Sequence, residues 1–168
     1  EGLTKMPKAT QTDRLLSITT PLGEDYLLLN KLRVEEAISE LYTIDVELLY
    51  DEEEDDIFTV TYIDGKELLG RTVNIRVAQE DGGTRYFAGM VNNFRQAGRN
   101  REFSYYRATI VPQIWELTQI VQSRIFQHKS VVDILRDVFA GYSLRCEIQG
   151  DYKPRNYCVQ YQETDFDF

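Results

Sequence analysis

Hydrophobic and polar residues alternate in the middle of the chain, over residues 73–111. Valine and isoleucine first occupy every second position, which is the period of a strand with one buried face. Two breaks that contain glycine, at residues 81–83 and 98–100, can each support a tight reversal between strands. The pattern therefore predicts three adjoining strands in an antiparallel meander.

Further strands are predicted before this meander. One covers residues 15–20, and a turn at 21–25 leads into an extended segment, residues 26–29, that is expected to complete a hairpin. The clearest strand covers residues 41–50, and a strand this long with one polar face is typical of a sheet curled around a core. Its apolar face consists of Tyr42, Ile44, Val46, Leu48 and Tyr50. With roughly six or seven short strands before residue 111, the fold is predicted to be mainly β, a barrel or a sandwich.

The pattern changes at Pro112, a residue favoured in the first turn of a helix. Apolar residues at 114, 115, 117, 120 and 121 then recur at helical spacing, and Trp115 is expected to anchor the core. A strand at 123–129 precedes a second helix, which Ser130 and Asp133 would start as a capping box and Gly141 would end. Extended runs follow at 144–148 and 157–162. We therefore expect a flexible leader at 1–11, a first β-domain at 12–112 and a helix-strand segment at 113–168.

Charge and composition narrow the class of partners. The 168 residues carry a formal net charge of −9, which opposes binding to nucleic acid and to anionic membrane surfaces. No apolar run approaches the length of a membrane-spanning helix, and the first ten residues lack the apolar core of a signal peptide. The two cysteines are too few for a disulfide scaffold and do not have the spacing of a zinc site. This small number favours a reducing compartment for the protein.

No set of residues predicts an active site. His128 is the only histidine and precedes a helix cap, whereas Cys146 fits a small core residue on a strand and Cys158 has no activating neighbour in sequence. The acidic run at 51–56 lacks the ligand spacing of a calcium loop and is predicted to be a solvated loop. Counting carboxylates alone does not exclude a glycosidase. The expectation is no catalytic residue, no metal site and no cofactor.

Several blocks of the sequence, in order, resemble the VgrG family, the spike-hub proteins of bacterial type VI secretion systems. The blocks are RLLSITTPLGEDYLLL (14–29), LYTIDVELL (41–49), LGRT (69–72), RYFAGMV (85–91), YRATIVPQIWELT (106–118), RIFQHK (124–129) and DYKPRNYCVQYQETDFDF (151–168). The resemblance implies an antiparallel β-barrel of the phage tail hub type at 12–112, with residues 113–168 beginning the second part of the hub.

The resemblance also implies partners. In the VgrG family three subunits form a ring of six barrel-like units, which docks on a hexameric inner tube built from Hcp, and a C-terminal spike pierces the target envelope. The expected partners are two further copies of the full-length protein, an Hcp-like tube, and effectors or adaptor proteins. The expected route is assembly in the bacterial cytoplasm, followed by secretion or injection without a cleaved signal peptide.

Two alternatives to this function stay open at the level of sequence. A prophage tail or baseplate hub would share the barrel plan. A β-barrel carbohydrate-active enzyme or a binding module would share the strand pattern without the tube partner.

Overall fold

The chain forms two compact units, residues 1–112 and 113–168, in a computed structural model that describes residues 8–52, 62–142 and 144–168. The first unit is a β-sheet and the second combines a two-stranded ribbon with one short helix. The strands are β1 Leu16–Thr19, β2 Leu28–Glu35, β3 Thr43–Asp51, β4 Thr72–Ala78, β5 Thr84–Arg99, β6 Phe103–Val111, β7 Val121–Lys129 and β8 Arg155–Thr164. The α-helix is α1 Val131–Val138, and 3₁₀ turns occupy Gly65–Glu67 and Gln113–Thr118.

The first unit is a six-stranded antiparallel sheet in the order β1-β4-β5-β6-β3-β2. The two end strands, β1 and β2, approach each other, so the sheet curls into a nearly closed barrel. The acidic residues 53–56 of the predicted loop lie outside the described residues. The prediction of a mainly β barrel with short helices is confirmed, and so is the meander of β4, β5 and β6.

Alternating side chains of neighbouring strands meet inside the barrel. Ile44 of β3 lies opposite Ile110 of β6, and Leu48 lies opposite Tyr106; all four side chains are at most 2% exposed. Phe94 of β5 stacks on Tyr106 with ring centroids 5.1 Å apart. Apolar burial contributes about 25 cal/mol per Å². These buried aliphatic and aromatic side chains therefore stabilise the first unit.

The predicted hairpin between residues 15–20 and 26–29 is wrong. β1 pairs with β4 instead, with Ile18 opposite Ile75, and β2 pairs with β3, with Val34 opposite Ile44. Alternation reports which face of a strand is buried, but it carries no information about the neighbouring strand. Residues of the predicted leader also contact the barrel, since the Gln11 side chain is only 7% exposed.

A cross-strand ionic cluster covers the outside of β2, β3 and β6. Asn30 donates a hydrogen bond of 2.6 Å to Glu47, whose carboxylate also lies 3.3 Å from Lys31 and 3.8 Å from Arg107. The hydrogen bond from Asn30 and the two cations together hold the pKa of Glu47 below its ordinary value.

We expect Glu47 to make stability depend on pH in the acid range. Because the pKa of Glu47 is lowered on folding, its contribution is complete above the unfolded pKa and is lost as pH falls through the folded pKa. The variant Glu47→Gln should therefore show a flatter fall of the unfolding midpoint between about pH 5 and pH 3. Urea unfolding across that range measures this, with the exposed Glu80→Gln as control. Parallel pH curves for Glu47→Gln and the parent protein would contradict it.

The second unit differs from its predicted pattern in two places. The helix predicted after Pro112 is only the 3₁₀ turn Gln113–Thr118, because Val121 belongs to β7, where pairing with β8 outweighs the helical spacing. Trp115 is half-buried, and the buried residue of this turn is Leu117. Residues 144–148 form no strand, and Cys146, expected in the core, is exposed because no neighbouring strand pairs with that segment.

The second helix follows its prediction closely. Ser130 accepts a hydrogen bond from the backbone N–H of Asp133, and the Asp133 carboxylate accepts one from the backbone N–H of Ser130. The Ser130 hydroxyl also donates to the Asp133 carboxylate at 2.6 Å, and this bond, with the one from the Ser130 backbone N–H, lowers the pKa of Asp133. Ile134 and Val138 face inward, and Gly141, with φ of +100°, follows the end of the helix. The capping box is local in sequence, so sequence alone is sufficient to predict it.

Candidate functional site

The ribbon of β7 and β8 has one inward and one outward face. Phe126 and Gln160 point inward, 8% and 0% exposed, and Phe126 stacks on Phe168 with centroids 5.7 Å apart. Ile134 and Val138 of α1 complete this small core. The helix therefore covers the inward face and, with the terminal turn, fixes the position of the ribbon.

The outward face of the ribbon is apolar and exposed. Ile125 lies opposite Val159, and the pairs on either side are Ser123 with Tyr161 and Gln127 with Tyr157. We call these residues and Val121 the ribbon face; the exposed fractions of its large apolar side chains are 61% for Val121, 67% for Ile125, 70% for Tyr157, 46% for Val159 and 70% for Tyr161. No member of the ribbon face is charged, although the chain as a whole carries −9. A contiguous apolar surface of this kind is typical of a protein-protein contact.

A buried polar network supports the ribbon from its inward side. The Arg124 guanidinium donates to the Gln160 side chain at 2.8 Å and pairs with the Asp165 carboxylate, whose side chain is only 7% exposed. The Gln160 amide donates in turn to Asp165 at 2.8 Å. The network joins β7, β8 and the turn after β8, so it holds the ribbon face in one orientation.

The terminal turn carries capping contacts. The backbone N–H of Asp167 donates to the Thr164 hydroxyl at 3.0 Å, and that of Phe168 donates to the Thr164 carbonyl at 3.1 Å. This is the geometry of a helix N-cap.

The residues considered for chemistry are not gathered into a reactive cluster. His128 is exposed with φ of +52°, Cys146 is exposed, and Cys158 packs beside Phe126; both cysteines are free. Across residues 8–52, 62–142 and 144–168, no group of three or more histidine, cysteine or acidic side chains is placed to hold a metal ion. In the same ranges no helix is long and apolar enough to cross a membrane.

The described residues of the second unit line at least two cavities. One, of about 440 Å³, lies between α1 and residues 146–152, and the other, of about 400 Å³, lies among Leu117, Ile134, Phe166 and their neighbours. The second is lined mainly by aliphatic and aromatic side chains, with Arg155 and Asp165 at its margin. Neither of these cavities is lined by a histidine or a lysine.

Some important residues carry no distinctive signal in the sequence. Gln160 is an ordinary polar position within an alternating strand, and Gln11 lies in a segment without periodicity. Gly89 falls inside a strand, and a glycine there indicates a close approach of another backbone. Of these three residues, therefore, Gly89 is the one that carries a signal in the sequence.

Comparison with known proteins gives a family. The family model described as "Phage tail baseplate hub (GPD)" matches residues 35–168. Over 166 residues the chain is 35% identical to the type VI secretion system spike protein VgrG1b of Pseudomonas aeruginosa, covering 97% of this chain and 21% of that protein. The spike protein VgrG1a of the same organism is 32% identical over 161 residues, which are 94% of this chain and 24% of that protein.

A solved structure shares the fold. An E. coli protein, described as a component of the type VI secretion system with structural similarity to the T4 bacteriophage tail proteins gp27 and gp5, superposes with a TM-score of 0.57. The match has 16% sequence identity and covers 82% of this chain and 40% of that chain. This likeness supports the barrel assignment.

These comparisons confirm the resemblance to VgrG spike proteins, although the chain spans only about a fifth to a quarter of the length of these relatives. The relatives named here are spike proteins, which agrees with the prediction of a structural element. The family model covers most of both units. The chain therefore belongs to the phage tail baseplate hub (GPD) family.

Proposed function

We propose that this protein is the structural hub of a type VI secretion spike. The observation that carries the proposal is the 35% identity to a VgrG spike protein over 97% of the chain. A hub transmits force through broad buried contacts, and a barrel wall with a rigid apolar ribbon beside it in sequence suits that task. Residues 12–112 would supply one hub barrel, and residues 113–168 would begin the second part of the hub.

We further propose that three copies associate through the ribbon face. A chain with a net charge of −9 repels its copies, and the ribbon face is a surface without charged side chains. Its tyrosines offer large contact areas at low cost in side-chain entropy. Three subunits with two barrels each would match the sixfold symmetry of a hexameric Hcp-like tube.

The variant Tyr161→Asp in the full-length protein tests the ribbon face. A carboxylate buried in an apolar contact should weaken self-association at least about tenfold, so trimer should give way to monomer at micromolar concentration. Sedimentation equilibrium measures the mass. The matched control is Tyr86→Asp, at a barrel tyrosine that is also 70% exposed. Equal trimer content in both variants would remove the ribbon face from the interface, whereas a monomeric parent protein would overturn the trimer itself.

We propose that the hub assembles in the bacterial cytoplasm, docks on an Hcp-like tube and leaves the cell with the spike, with effectors or adaptors attached. Spike proteins of this secretion system are the relatives named above. A strain that lacks the gene should stop releasing the tube protein, and the parent gene should restore release. Normal release without the gene would contradict this role.

A prophage tail or baseplate hub is the second candidate, because the matching family model is named for phage baseplates. Affinity purification of the full-length protein from its own organism separates the two. Recovery of an Hcp-like tube protein supports the secretion hub, and recovery of phage tail tube and baseplate proteins supports the second candidate.

A further inference from the structure

The hydrogen-bond ladder of the barrel has a gap between its two end strands. β1 and β2 are the end strands of the six-stranded sheet, and they approach each other without a ladder between them in the described part of the chain. We call this gap the seam. Strand edges left without partners are costly when buried, because each backbone N–H and C=O needs a hydrogen bond.

The side chain of Gln11 fills the seam. Its Oε1 accepts from the backbone N–H of Ile18 in β1 at 2.8 Å and from that of Leu29 in β2 at 3.1 Å. Its Nε2 donates to the Ile18 carbonyl at 3.0 Å. One primary amide thus bonds both strands, in the way that a peptide group of an intervening strand would. All three bonds are buried, where an unmade bond is most costly.

The neighbours of Gln11 hold it in place. Its backbone N–H donates to the Asp25 carboxylate at 2.8 Å, and that of Ala9 donates to Asp51 at 2.7 Å. The Lys8 ammonium lies 5.7 Å from the ring centroid of Tyr26 and 5.6 Å from that of Tyr50. The segment is therefore anchored to the barrel at several separate points.

We propose that residues 8–11 form a latch that keeps the barrel closed, with the Gln11 amide standing in for a missing strand pair. When the latch leaves the seam, the amides of Ile18 and Leu29 lose their acceptor and the edges of β1 and β2 become available to another strand. Opening is local, because the ladders that join β4, β5, β6 and β3 do not involve Gln11. The latch is a property of the barrel itself and does not depend on the proposed secretion role.

Hydrogen exchange in the intact protein tests the latch. The variant Gln11→Met keeps the length of the side chain but cannot bond, so exchange at the Ile18 and Leu29 amides should accelerate by about tenfold to a hundredfold. Exchange at Ile44, in β3 on the side of β2 away from the seam, should stay unchanged. Thr12→Ala, at the exposed next residue, is the matched control and should leave all three amides unchanged.

Three further variants keep the test decisive if Gln11→Met folds poorly. Asp25→Gly tolerates the φ of +55° at this position and removes the carboxylate that accepts from the Gln11 backbone N–H. Hydrogen exchange at the Ile18 and Leu29 amides should therefore accelerate by a smaller factor than in Gln11→Met. Deletion of residues 1–7 should leave both amides protected, and deletion of residues 1–11 should expose them. Unprotected Ile18 and Leu29 in the parent protein, full protection in Gln11→Met, or equal acceleration at Ile44 would each overturn the latch.

Discussion

Replacing Gly89 by alanine is expected to destabilise the barrel by about 3 kcal/mol, a large effect for one added methyl group. A Cβ at this position in β5 would lie 2.7 Å from Cγ2 of Ile110 and 2.7 Å from the carbonyl oxygen of Val111. Both atoms belong to β6, and the oxygen is part of the backbone, so it cannot move away by a change of rotamer. Relief of the clash requires β5 and β6 to separate, and that disrupts a central pair of the sheet.

Urea unfolding of the Gly89→Ala variant measures this loss. The matched control is Ala88→Gly, at the exposed preceding residue of the same strand, which should cost only about 0.5–1 kcal/mol through backbone entropy. If the Gly89→Ala protein were as stable as the parent, β6 could not lie 2.7 Å from the position of the added Cβ, and the prediction would be wrong.

The second large effect is expected from breaking the Arg124–Asp165 pair in the second unit. Arg124→Met leaves the Asp165 carboxylate, whose side chain is 7% exposed, without its cation and removes a hydrogen bond from Gln160. Removal of one partner of a buried pair costs about 3 kcal/mol, because the remaining charge is desolvated and unpaired. Replacing Asp165 by leucine as well should recover part of the loss.

Fluorescence of Trp115 follows this unfolding, because it is the single tryptophan of the chain and belongs to the second unit. The control pair is Arg145 and Glu147, whose side chains are 87% and 73% exposed, so Arg145→Met should change stability by less than about 0.5 kcal/mol. Equal losses in Arg124→Met and Arg145→Met would contradict the assignment of Arg124 to a buried network.

The same network bears on the proposed contact between copies. Arg124 and Gln160 lie on the inward side of the strands that carry Ile125, Val159 and Tyr161 outward. Since the two faces share one backbone, loss of the network would loosen the ribbon face without changing any of its side chains. If the proposed interface is correct, Arg124→Met should therefore weaken the trimer, as Tyr161→Asp should.

Features with short-range causes could be predicted from the sequence. The capping box of Ser130 and Asp133 needs only residues three apart, and the buried face of β3 follows from the two-residue period of a strand. The sequence offers no oriented nucleophile and base, so it predicts no active site. The choice of a secretion hub, however, rested on resemblance and not on the physics of the pattern.

Features with long-range causes could not be predicted in this way. Val121 fits a helical stripe in sequence but pairs as part of a strand opposite Thr164. Cys146 alternates with apolar neighbours, yet the segment finds no strand beside it and the thiol is exposed. In both cases the presence or absence of a pairing strand distant in sequence decided the outcome, because a strand is stable only when its backbone groups are bonded.

By itself, then, the sequence determined the net charge of −9, and it determined the strand periods, the tight turns and the helix cap, which depend on neighbouring residues. Only the tertiary structure decided that β1 pairs with β4, that Gln11 bonds across the seam and that Gln160 is buried beside Arg124. The physical reason is that these contacts satisfy polar groups brought together from distant parts of the chain. The alternation of apolar and polar residues predicts which face of a strand is buried, but not which residues contact that face.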